Sequence, residues 1–322
     1  MRIVTLACGA LLALALGTAA KAEDAVLKAV SFLPPNLNLS KEFITFTEKV
    51  NAAGAGATIN YLGGPEVIPG GKQGQALERG VVDVVYTAMS RLAGSVPEGE
   101  ALLGTNKSLA DLRSSGALDT LNKMFEAKGL KILVVQHLGM HYNLYLVNEP
   151  TFKDGLPDLN GRKIRTSATY REFLEKLGAS LVSVPSSEVY TALERGVAEG
   201  LAWPSVDIVS TGVGKIVKYR VDPGFFNAPN IVVVSLSAWD KLPEATRTKI
   251  EGVAHEFEDW SVTHTQELVD SEAKELSGLG VKFVEVPDSA KYEKLAFETV
   301  WARLKERNAE SADKLRKLFY AE

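Results

Sequence analysis

LNGRKIRTSATYREFLEKLGASLVSVPSSEVYTALERGVAEGLAWP, residues 159–204, is the stretch whose reading decides the fold. Its run Ala192-Leu193-Glu194-Arg195-Gly196-Val197 repeats, letter for letter, an earlier run Ala76-Leu77-Glu78-Arg79-Gly80-Val81. In each copy a helix ends at a glycine suited to the left-handed position just past its last turn, and the chain turns toward a strand. The first copy continues into Val81–Tyr86, a near-continuous apolar run typical of a strand covered on both faces; the second continues into Ala198–Trp203. The shared letters are explained equally well by duplication and by a common way of ending a helix. Either way, each half carries the helix-glycine-strand unit of a parallel α/β sheet, on which ligands gather beyond the strand C-termini. Tyr86–Met89 and Trp203–Ser205 are therefore expected to form opposite walls of one cleft.

Within the same stretch Arg165 closes a short strand, just before a helix whose start is signalled by Thr166, Ser167 and a Thr169-x-x-Glu172 capping pattern. No acidic residue stands within five positions of it. From local chemistry alone, a solvated surface cation is the ordinary fate of such a residue.

Working outward, residues 1–22 read as a signal peptide: Arg2 as the charged start, an apolar run from Ile3 to Leu16, and Ala20-Lys21-Ala22 as a small-x-small cleavage site. The run is shorter than the roughly 20 residues a membrane span needs. Export to the periplasm is thus expected. The single cysteine, Cys8, lies in this leader, so the exported chain would have no disulfide, zinc-thiolate site or cysteine nucleophile. With 322 residues and 46% hydrophobic content, the chain can bury a large core and tends to divide into two lobes. Net charge is −4, and no basic tract points to nucleic acid.

Taken in order, Leu27–Phe32 reads as a strand, a helix capped by Ser40 follows with Phe43, Phe46 and Val50 on one face, and Ala57–Leu62 is a second strand. Lys72 in IPGGKQ does not make a phosphate loop, because Glu66 occupies the first glycine position and Gln73 the Ser/Thr position. Ser108–Lys128 reads as one helix, Leu130–Gln136 as a buried strand and His137–Val147 as an extended segment. A helix from about Pro243 to Leu276 would run about 50 Å. A strand at 281–286 and C-terminal helices complete the chain, with no linker of low complexity.

The ordered set Leu159, Gly161, Lys163, Ile164, Arg165, then Leu177-Gly178-Ala179, then Pro185, Ser187 to Leu193, Gly196 and Gly200 resembles the DctP-type solute-binding proteins of TRAP transporters. The resemblance implies an α/β, two-lobed periplasmic-binding-protein-like fold with interleaved lobes and a long helix bracing both. Lobe I would take residues 23–138 with 228–265, and lobe II residues 139–227 with 266–322. It also implies a carboxylate-binding role for Arg165, whose planar fork suits a carboxylate bidentately. The partners implied are a small organic acid and the membrane permease subunits, with a monomer expected and no cofactor or catalytic residue called for.

Departures from the family pattern shape the rest of the site. Gly139-Met140-His141 has histidine where many members have a second arginine, Trp203 stands where asparagine is common, and Ser186 replaces phenylalanine. A histidine is mostly neutral near pH 7, which disfavours a dicarboxylate. Trp203 offers a flat apolar face, with Ser186 leaving room beside it. Phe32, Tyr86, Gln136 and Asn230 complete the candidate ligand-binding set. His137 and His141 lie about 13 Å apart on an extended chain, too far to share a metal. No serine-nucleophile, zinc-protease or complete dinucleotide motif is present. A monocarboxylate is expected, and tryptophan at this position resembles a subgroup of the family that binds 2-oxo or substituted aromatic acids, which implies an aromatic, hydroxy or oxo acid. A sugar acid, a secreted enzyme on a similar scaffold, and a binding subunit not tied to transport are the alternatives.

Overall fold

The structure is a computed structural model that describes residues 24–321. The expected leader, with Arg2, Cys8 and the cleavage site, lies outside the described residues. The strands are β1 Ala25–Ser31, β2 Ala57–Gly63, β3 Val84–Ala88, β4 Leu130–Gln136, β5 His141–Leu146, β6 Thr151–Lys153, β7 Leu156–Asp158, β8 Lys163–Thr166, β9 Ser180–Ser183, β10 Gly200–Pro204, β11 Tyr219–Asn227, β12 Asn230–Ser235 and β13 Lys282–Glu285. Between and after them run helices α1 Asn38–Ala52, α2 Gln73–Glu78, α3 Leu109–Ser114, α4 Ala117–Glu126, α5 Arg171–Lys176, α6 Val189–Glu194, α7 Leu236–Trp239, α8 Glu244–Gly278, α9 Ser289–Arg307 and α10 Ala309–Phe319.

Two sheets result, one per lobe. The first has the order β2-β1-β3-β12-β4, the second β13-β11-β5-β10-β8-β9, and β6 and β7 form a separate hairpin. In the first sheet β1 runs parallel to β2 and β3, while β12 is antiparallel to both its neighbours. Every residue of β3 and β12 is buried. Alternation then sends Val85, Ile231 and Val233 into one apolar layer, and Tyr86, Val232 and Val234 into the other.

The two ALERG copies fold alike. Gly80 and Gly196 have φ of 69° and 66°. Val81 N donates to Ala76 O and Val197 N to Ala192 O, each at 2.9 Å. This is the six-to-one bond that closes a helix end, and only a residue tolerant of positive φ can sit inside it.

The chain passes from the first sheet to the second between β4 and β5, where His137 and Gly139 take φ of 62° and 99°, and returns between β11 and β12. The two crossings lie side by side, since β4 neighbours β12 in one sheet and β5 neighbours β11 in the other. Helix α8, 35 residues and about 52 Å long, braces both lobes. Its Phe257 packs on Phe46 of α1 at 5.3 Å between ring centroids, and its Glu258 accepts from Val135 N of β4 at 2.6 Å. Fourteen residues on, Glu272 accepts from Val209 N on the second lobe at 2.6 Å.

Three expectations are corrected. Residues 108–128 form two helices, because Gly116 (φ 71°) breaks the run; Ser108 caps only the first, accepting from Asp111 N. Ser40 does not cap α1 but lies buried inside its first turn and bonds Leu33 O. The C-terminal segment was expected with the second lobe. Instead Trp301, Leu304, Leu315 and Phe319 join the apolar layer of Val85 and Ile231 in the first, because their stripe matches the face left open beside α4.

Candidate functional site

Arg165 stands at the end of β8, with β10 and β9 on either side, and is only 5% exposed. Its Nε and Nη2 donate to Val184 O at 3.3 and 3.1 Å, and its Nη1 donates to Tyr170 Oη at 2.8 Å. Tyr170 Oη in turn donates to Ala202 O at 2.6 Å. Three of the five guanidinium N–H groups are thereby tied down, leaving one on each terminal nitrogen. The guanidinium lies 5.5 Å from the centroid of the Trp203 ring. Among the described residues no carboxylate comes within ion-pair distance of it. A buried, fixed and uncompensated cation is costly unless an anion joins it.

That fork faces a cavity of about 340 Å³ between the lobes. The second lobe supplies Tyr142, Arg165, Thr169, Tyr170, Ser186, Trp203 and Asp207; the first supplies Phe32, Leu39, Ala88, Ser90, Arg91 and Asn230. The lobes touch around it. Ser90 Oγ and Thr169 Oγ1 are hydrogen-bonded at 2.7 Å. The Asp207 carboxylate accepts from Asn38 N and Leu39 N at 2.8 and 3.1 Å, so a residue of the second lobe caps helix α1 of the first. Burial raises the Asp207 pKa, against the lowering effect of those two N–H groups. Trp203 Nε1 is buried without a partner.

Of the eight candidates read from the sequence, Arg165, Trp203, Phe32, Ser186 and Asn230 line this one cavity. The other three lie apart from it. Tyr86 is fully buried, stacked on Phe43 at 5.1 Å, because strand alternation turns it into the core. Gln136 is fully buried and its amide has no partner. His141 opens onto a different groove of about 620 Å³, lined also by Phe226, Asp259 and Phe297. Its Nδ1 is 3.2 Å from Phe226 O, and desolvation lowers its pKa, which keeps it neutral at pH 7. The expected capping box is also absent: helix α5 begins at Arg171 without a side-chain cap, Thr169 bonds Ser90, and Glu172 pairs with Arg303.

Arg91 was not among the candidates. It ends a short turn directly after β3, at the C-terminal edge of a parallel strand, which is the signal that could have found it.

Comparison with known proteins gives a consistent picture. Residues 45–308 match the DctP family, described as bacterial extracellular solute-binding protein, family 7. A C4-dicarboxylate-binding periplasmic protein DctP of Rhodobacter capsulatus is 24% identical over 258 residues, covering 78% of this chain and 77% of that one. A monocarboxylate 2-oxoacid-binding periplasmic protein of Nostoc sp. is 25% identical over 191 residues, covering 56% and 51%. The chain spans about half to two thirds of the length of the first curated relatives it matches. Among solved structures, DctP7 of Bordetella pertussis, an extracytoplasmic solute receptor binding pyroglutamic acid, superposes with a TM-score of 0.78 at 19% identity, covering 92% of this chain and 99% of that one.

Proposed function

The chain belongs to the DctP family of bacterial extracellular solute-binding proteins, and from that premise we propose that it is the periplasmic receptor of a TRAP-type transporter, binding a small organic acid between its lobes and handing it to membrane permease subunits. The observation that carries this reading is Arg165: a guanidinium 5% exposed, braced by Tyr170 and Val184, with no carboxylate of its own among the described residues. The ligand carboxylate takes the two remaining N–H groups, and the ligand body lies against Trp203 and Phe32. A flat aromatic, hydroxy or oxo acid fits those walls. The polar groups of Ser90, Ser186 and Asn230 around the same space favour a sugar acid as the second reading.

The one carboxylate in the cavity lining, Asp207, is engaged with two backbone N–H groups. The lobe division we adopt is residues 24–138 with 228–265 and 301–319 for the first, and 139–227 with 266–300 for the second.

A thermal-shift screen against carboxylic acids identifies binders, since a ligand at about 100 times its dissociation constant stabilises the native state by about 2.7 kcal/mol. Calorimetry with the best of them then tests the anchor. Arg165→Ala weakens binding by roughly one to two orders of magnitude, as loss of a charge-assisted pair should, and Arg165→Lys recovers only part of it. Unchanged affinity in a folded Arg165→Ala protein would refute the assignment.

A further inference from the structure

We infer that Glu42 and His137, which lie behind the cavity wall, are positioning residues that turn the amide oxygen of Asn230 toward the ligand, so that the site selects an acid bearing a hydroxyl or N–H donor at that point. This rests on the reading of Arg165 given above, which places the ligand in the cavity that Asn230 lines. Neither Glu42 nor His137 belongs to that lining.

An amide presents either its oxygen or its two N–H groups, and the surrounding hydrogen bonds decide which. Here the decision is taken inside the first lobe. His137 is buried with its Nε2 2.8 Å from Glu42 Oε2, and Glu42 is itself buried on α1. A carboxylate only accepts, so Nε2 carries the proton and Nδ1 of the neutral ring is an acceptor. Asn230 Nδ2 stands 3.5 Å from that Nδ1 and donates to it. Tyr86 Oη, also 3.5 Å from Nδ1, is a second inward acceptor for the amide; burial, reinforced by the Glu42 charge, raises the Tyr86 pKa and keeps it a phenol. Both N–H groups of Asn230 are thus spent inward, and among the described residues nothing donates to its Oδ1.

His137 stands at the crossing between the lobes with φ of 62°, yet its ring is gripped by α1, β3 and β12, all of the first lobe. The orientation of Asn230 is therefore the same whether the lobes are apart or together. On closure its oxygen loses water and needs a donor in exchange. A hydroxy acid, a sugar acid or a cyclic amide acid supplies one, whereas an oxo group set there would meet Oδ1 acceptor to acceptor. Hydroxy and oxo acids, which the apolar walls accept alike, are divided by this one atom.

The test uses matched probes whose donors lie at different distances from the carboxylate: mandelate with α-fluorophenylacetate and phenylglyoxylate, 4-hydroxybenzoate with 4-fluorobenzoate, galacturonate with 4-deoxy-4-fluorogalacturonate, and pyroglutamate with N-methylpyroglutamate. Calorimetry is run on the wild type, Asn230→Ala, His137→Asn, His137→Gln and Arg165→Ala. In the set that binds tightest, the donor-bearing acid is expected to bind roughly tenfold or more tightly than its analogue. Asn230→Ala should bring that ratio to within about threefold of one. His137→Asn should do the same without touching the ligand: asparagine tolerates the positive φ but is too short to join Glu42 to Asn230. Glutamine reaches further and offers one donor and one acceptor as the neutral ring does, so His137→Gln should restore much of the ratio. A loss of packing alone would weaken both members of a set alike and leave the ratio standing. Nitrogen-15 NMR of the wild-type imidazole at pH 7 needs no variant, and should show the tautomer protonated at Nε2. An analogue binding as tightly as its donor-bearing acid, a ratio kept in Asn230→Ala or His137→Asn, or a proton on Nδ1 overturns the inference. Arg165→Ala separates the two readings: equal loss for both members upholds the anchor, and no loss defeats it whatever the ratio does.

Discussion

Glu272 shows how much a single side chain can report. It is 5% exposed on α8, and burial pushes its pKa up from the usual 4.5 to about 7, opposed by the N–H of Val209 and reinforced by the charge of Asp207. In the unfolded chain the same carboxyl titrates near its ordinary value. Between about 4.5 and 7 the native state therefore binds more protons, so this group's contribution to stability falls as pH rises through that window. Glu272→Gln keeps an oxygen for Val209 N while removing the charge. Its melting temperature should exceed that of the wild type at pH 8 and approach it at pH 4.5; a gap that widened toward acid would contradict the burial argument. At this scale the place of Arg165 at the inter-lobe cavity was legible in the sequence because a motif surrounds it. Arg91 was not, since no local pattern marks it and only the approach of the other lobe brings it to the same cavity. His141 was misplaced for a related reason: position in a motif does not say which of two grooves a side chain opens onto.

Elements were legible where their ends are dictated locally. The glycine that ends each ALERG helix carries its own instruction, and the structure places both at positive φ with matching hydrogen bonds. A Cβ at Gly196 or Gly80 would meet nothing within 4 Å, so Gly196→Ala and Gly80→Ala isolate the backbone cost alone. Each should destabilise by about 1 kcal/mol, read as a lower midpoint in urea at unchanged slope. A neutral result at both sites would mean that the positive φ is not what stops these helices. Elements whose ends are set from a distance were not legible. Helix α1 takes its cap from Asp207, 169 residues downstream of Asn38, so the local serine that looked like the cap is free to bond Leu33 O instead. The break at Gly116 went unread because glycine is tolerated inside many helices, and only the packing of α3 and α4 as separate pieces makes it a boundary.

At the scale of the whole molecule, polar straps hold the lobes together around the cavity, while two guanidinium groups inside it oppose approach. Ser90 bonds Thr169, Asp207 caps α1, and Arg303 ties Glu100 of the first lobe to Glu172 of the second at 2.9 and 2.8 Å. Arg303 also donates to Ala168 O and Thr169 O at 3.2 and 2.9 Å, immediately beside the ligand space. Glu172 lines no part of that space, so it changes closure without touching the ligand. It is 39% exposed, so its pair with Arg303 is worth a modest amount, about 0.5 to 1 kcal/mol. Glu172→Ala should therefore shift the ligand-free protein toward an open form, seen as a larger radius of gyration in X-ray scattering, and weaken apparent affinity by about two- to fivefold. At saturating ligand the radius should return to the wild-type value, because the anion neutralises the cations that the strap was helping to hold together. If affinity fell while the ligand-free radius stayed the same, the pair would be positioning α5 beneath the cavity, and the balance of straps against charge would not govern closure.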